Sequence, residues 1–167
     1  MIGNVGAIWG LAGVVLLLGY AILRLIPITF AAFSIKLFWY HWLVLVLNTG
    51  LMAYLEGYRG FQKGFSPRVV ARARYMKENP RLLHALLGPL FCIGYFYATT
   101  QLKIRVIALT IGIISLIILV HFLEQPWRGI VDAGVIVGLT WGVISLVLFS
   151  IRTITSDEFD YLPEVPD

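Results

Sequence analysis

Six residues of types that do chemistry are scattered along an otherwise apolar chain: Glu56, Arg59, His84, His121, Arg128 and Asp132. Glu56 and Arg59 stand three apart and Arg128 and Asp132 four apart, spacings that place opposite charges on one helix face. A carboxylate set among apolar residues calls for such a partner. His84 and His121, if neighbouring helices bring them to one depth, offer two axial nitrogens for a b-type haem iron. With Glu124 and Asp132 the same histidines make a mixed imidazole and carboxylate set suited to a divalent metal. Against a porphyrin, no small residue repeats around either histidine to clear room for it. The competing reading is that these polar groups pair with one another and hold helical hairpins in register.

Enzyme signatures are missing. The chain has no Gly-x4-Gly-Lys, no Gly-x-Ser-x-Gly and no His-Glu-x2-His, the patterns that cradle phosphate, expose a nucleophile or bind catalytic zinc. Ser115 and Ser145 have no histidine at helical spacing, so no catalytic residue is assigned. Cys92 is the one cysteine, which excludes an internal disulfide and a thiolate metal cage.

The elements that must position these groups follow from composition. The 167 residues are 59% hydrophobic and 13% charged, with a mean hydropathy of +0.86. Soluble domains carry about twice that charged fraction, so the bilayer must serve as solvent for an all-α integral membrane protein, since a lone strand cannot satisfy its backbone in lipid. Five stretches reach spanning length, at 5–26, 37–57, 82–99, 104–123 and 129–151. Pro27 closes the first, leaving 28–36 to lie in the interface. Phe38, Trp39, Tyr40 and Trp42 form an aromatic belt at the start of the second. Pro89 kinks the third. The short links 100–103 and 124–128 make spans three, four and five antiparallel neighbours. Residues 1–152 thus form a single membrane domain and 153–167 an acidic tail with Asp157, Glu158, Asp160, Glu164 and Asp167.

Between spans two and three lies EGYRGFQKGFSPRVVARARYMKENPR, with seven of the thirteen basic residues. Ser66-Pro67 reads as a helix start and Asn79-Pro80 as its stop. Residues 66–79 are predicted to form an amphipathic helix on the leaflet, with Arg68, Arg72, Arg74 and Lys77 toward anionic lipid headgroups. Basic loops stay cytoplasmic. With five spans, this puts the N-terminus inside and the C-terminus outside, with eight basic residues inside and five outside. That orientation also brings the six polar residues of the opening paragraph, and Glu124, to one depth near the cytoplasmic face. In the last span Gly134, Gly138 and Gly142 recur at every fourth position, a flat groove for close helix packing.

The expected function is a small non-catalytic accessory or scaffold subunit of a membrane complex, in the bacterial cytoplasmic (inner) membrane. Its partners would be the bilayer with its anionic headgroups, and a second copy or another membrane protein. Nucleic acid is not expected, because the charge sits between spans. The alternatives are an oligomeric carrier or channel using the cytoplasmic polar cluster, and a haem or metal electron-transfer subunit.

Overall fold

The computed structural model describes residues 2–155 and 161–166. Among these residues every regular element is a helix, and there is no strand. The elements are α1 (Ile2–Phe33), α2 (Trp39–Met52), a π-helix π1 (Ala53–Phe65), α3 (Ser66–Glu78), α4 (Leu82–Leu86), α5 (Gly88–Ile93), α6 (Thr100–His121) and α7 (Trp127–Thr155). Three helices are long and apolar enough to cross a membrane: α1, α6 and the 127–153 part of α7.

α1 runs straight through Pro27 to Phe33, so 28–33 is helix and not a separate interfacial segment. Proline is tolerated inside membrane helices because neighbouring groups satisfy the freed backbone. α2, π1 and α3 also form one unbroken rod from Trp39 to Glu78, as Met52, Phe65 and Ser66 all keep right-handed helical dihedrals. Ser66 is therefore not a helix cap. Its hydroxyl shares a hydrogen bond of 2.6 Å with that of Ser145. The change from i→i+5 to i→i+4 bonding falls beside Pro67, which has no N–H to give.

The rod lies parallel to α7. Gly134 meets Asn48 and Met52, Gly138 meets Glu56, Gly142 meets Phe61, and Ser145 meets Ser66. α1 runs antiparallel to both. Its far end meets α7, with Ala32 against Gly129 and the Gln125 amide donating to the Ile28 carbonyl at 3.1 Å. Its first turns meet α3 and α4, with Gly3 against Lys77 and Gly6 against Met76 and Ala85. The core between them contains Val14, Leu18, Val69, Val70, Met76, Phe91, Leu139 and Leu146.

Two expectations fail here. The surface helix is not on a surface: Ser66–Ala73 and Met76 are buried against α1, α5 and α7. Nor is 82–99 a straight span. It breaks at Leu87, climbs beside α1 until Pro89 reaches Gly13, then reverses at Gly94, whose φ of 106° suits glycine. Tyr97 returns to lie against the His84 ring and beneath the Arg81 guanidinium, so the segment enters and leaves at one end. The two ends of the chain consequently share a side: Asn4, Lys77, Glu78, Ser150 and Thr153 line one cleft. The expected opposite placement of the termini assumed a crossing that 82–99 does not make.

α6 stands apart. Leu102 and Val106 are buried and Thr110 shares a hydrogen bond with Tyr95 at 2.6 Å. Beyond that, Ile111 to Leu119 are exposed on every side. Asp157, Glu158, Asp160 and Asp167 of the acidic tail lie outside the described residues.

Candidate functional site: a buried arginine and a divided polar set

Arg72 is fully buried, and all five guanidinium N–H donors point at backbone carbonyls. Nε donates to Phe91 at 2.7 Å, Nη1 to Pro163 and Glu164 at 2.9 and 3.3 Å, and Nη2 to Phe96 and Tyr97, both at 3.0 Å. The guanidinium carbon lies 4.4 Å over the centre of the Phe91 ring, a cation–π contact strengthened by desolvation. Phe91 is in the last turn of α5, where carbonyls lack intrahelical partners. Among the described residues, Tyr97 and Glu164 are the non-glycine residues with positive φ, 47° each. Both present a carbonyl to Arg72, and such strained conformations persist where surrounding contacts fix them. Arg72 is thus a clamp joining α3, the re-entrant 82–99 segment and residues 163–164, a role that leaves no donor for a lipid headgroup.

The other three residues expected at headgroups divide. Arg68 is buried with an unpartnered Nε. Arg74 pairs with Glu78 at 2.9 Å, and Lys77 is exposed. Both line the shared cleft, of about 560 Å³, whose inner wall is Ala7, Ile8, Leu11, Val70 and Ala73.

The polar cluster is not assembled. His84 is 3% exposed and stacks on Phe91 at 4.6 Å, beside the Arg72 clamp. His121 is exposed at the far end of α6. Thr99, at the near end, donates its N–H to Glu164 at 3.0 Å. The 22 residues of α6 then carry His121 about 33 Å along the helix at 1.5 Å per residue. One haem iron or metal ion cannot bridge the pair. Glu124, Arg128 and Asp132 lie at the His121 end, near the mouth of α7. Asp132 is 5% exposed with an unpartnered Oδ2, and Thr29 Oγ1 and Arg128 Nε are also buried without partners. Among the described residues no group of three or more His, Cys, Asp or Glu side chains could hold a metal ion.

Glu56 and Arg59 do not form their expected pair. The i→i+5 bonding of π1 adds residues to each turn, so a spacing of three no longer falls on one face. Glu56 turns inward against Gly138, where an added Cβ would meet its Oε2 at 2.5 Å, while Arg59 turns outward and is exposed. Gly134, Gly138 and Gly142 all face the α2–π1 rod, and Trp141 beside them donates its indole N–H to Gln62 at 2.8 Å.

Sequence reasoning missed Arg72 as a clamp. In the sequence it stands among other basic residues, with Arg68 and Arg74 close by, and nothing in the pattern singles it out. Compared with protein-family models, curated proteins and solved structures, the chain matches none.

Proposed function

We propose that the chain is a non-catalytic accessory or scaffold subunit of a membrane complex, held in the bacterial inner membrane by four crossings: α1, the α2–π1–α3 rod, α6 and α7. Both ends would lie in the cytoplasm. The charge distribution supports that orientation. Arg68, Arg72, Arg74, Lys77, Arg81, Lys103, Arg105 and Arg152 lie toward the chain-end side, Arg24, Lys36 and Arg128 toward the other, and Arg59 and Lys63 between, a bias of eight to three in the sense of the positive-inside rule.

The observation that carries the subunit reading is α6. A membrane helix gains its association energy from close packing, yet Ile111 to Leu119 of α6 are all exposed. Its exposed surface includes Ala108, Gly112 and Ser115, spaced to share a face, and a Cβ added at Gly112 would meet no other part of the chain within 4 Å. That is the form of a limb that packs on another chain. Purification from native membranes in mild detergent followed by native mass spectrometry tests the reading. The expected result is a hetero-complex that Gly112→Leu depletes while the abundance of this chain holds. A single chain alone in lipid would overturn it.

A second reading, an oligomeric carrier or channel, is favoured by two carboxylates set within helices at membrane depth, Glu56 in π1 and Asp132 in α7. Substrate flux that Asp132→Asn abolishes without loss of expression would support it.

A further inference from the structure

The level of π1 in the membrane can be read from α7. The apolar part of α7 is bounded by Arg128 and Arg152. Glu56 packs at Gly138, Phe61 at Gly142 and Ser66 at Ser145. Arg59 therefore sits between the levels of residues 138 and 142, and Lys63 between those of 142 and 145. Arg59 is about 18 Å and Lys63 about 12 Å from the nearer bounding arginine at 1.5 Å per residue, farther than either side chain can snorkel. Both are exposed. Lys63 Nζ lies 4.6 Å over the Tyr58 ring, and Tyr58 stacks with Tyr54 at 5.9 Å. Among the described residues neither cation has an ion pair.

Charged side chains at this depth face protein or water, not hydrocarbon. The surface between them is built for close approach. Gly60 and Gly64 are exposed, and an added Cβ at either would meet nothing but the backbone of π1 itself. Small residues of this kind let a second backbone come near. A guanidinium recognises a carboxylate through paired N–H donors, and the ammonium adds a point charge. A second copy of this chain is a poor source of that carboxylate: at this depth it offers Glu56, turned inward onto α7, and Asp132 is buried.

We propose that the outer face of π1 is a docking surface for a transmembrane helix of a different subunit, which places an Asp or Glu side chain at mid-bilayer depth against Arg59 and Lys63, with its backbone over Gly60 and Gly64. This rests on the accessory-subunit reading and names the partner's chemistry.

The test uses the full chain in its native membranes. Dicyclohexylcarbodiimide, which partitions into lipid and activates carboxyl groups, should join Lys63 to an Asp or Glu in a membrane segment of another protein, and Lys63→Gln should abolish that product. The double variant Arg59→Glu, Lys63→Glu should lower recovery of the complex at least tenfold while the abundance of this chain is kept, and Arg59→Lys should retain most of it. A nitroxide at Tyr58→Cys, in a Cys92→Ala background, should be shielded from both oxygen and a nickel chelate. High oxygen accessibility would mean a lipid-facing surface, and high nickel accessibility an aqueous path; either overturns the proposal, as does a Lys63 cross-link only to a second copy. A complex that persists in the double variant sinks this proposal and leaves the subunit reading standing. A chain found alone in native membranes removes both.

Discussion

Arg72 shows how one residue type changes meaning with its surroundings. In the sequence it is one of seven positive charges in a basic stretch, and positive charge beside spans is ordinarily solvated. In the fold it is buried, with five donors on five carbonyls. Lysine cannot replace that planar fork, and methionine would leave buried carbonyls without donors at about 1–3 kcal/mol each. We expect Arg72→Met to lower unfolding stability in detergent by at least about 3 kcal/mol on that scale, and Arg72→Lys to recover only part. Arg74, in an exposed pair with Glu78, should cost less than about 1 kcal/mol when changed to Met. Equal thermal midpoints for Arg72→Met and Arg74→Met would show that the clamp contributes nothing. Burial of Arg72 was not legible beforehand because its partners are carbonyls, which every residue carries and no sequence pattern marks.

At the level of elements, what was readable was what a single helix determines. The spacing of Gly134, Gly138 and Gly142 is a property of α7 alone, so their shared face could be read without knowing the neighbour. The neighbour is the rod, and its register depends on π1, whose i→i+5 bonding has no residue signature; that is why the Glu56 and Arg59 pairing was misjudged. The 82–99 segment has the apolar length of a span, and length does not distinguish a crossing from a reversal. Pro89 signalled a bend, but Gly94 makes the turn. These elements predict a contrast between two glycines. Leucine at Gly138 must displace Glu56, a change that typically costs about 1–3 kcal/mol in tight packing. Leucine at Gly112 meets open space, so the stability of the isolated chain in detergent should be unchanged. Comparable losses from Gly138→Leu and Gly112→Leu would mean that α6 packs on its own bundle.

For the whole molecule, the membrane class was legible from composition, whereas the parity of crossings was not, because it turns on whether one apolar stretch crosses. On the proposed four crossings, impermeant thiol reagents should label Asn4→Cys, Lys77→Cys and Thr153→Cys from the same side and Lys36→Cys from the opposite side, in a Cys92→Ala background. Labelling of Asn4→Cys and Thr153→Cys from opposite sides would restore an odd number. The Arg72 clamp also bears on how the protein is made. Two of its five carbonyls belong to Pro163 and Glu164, synthesised about ninety residues after the arginine itself. Until the ribosome has delivered them, α3 holds a cation in an unfinished cage. A nascent chain interrupted before that point therefore carries a built-in mark of incompleteness, buried at its centre and erased only when Pro163 and Glu164 arrive.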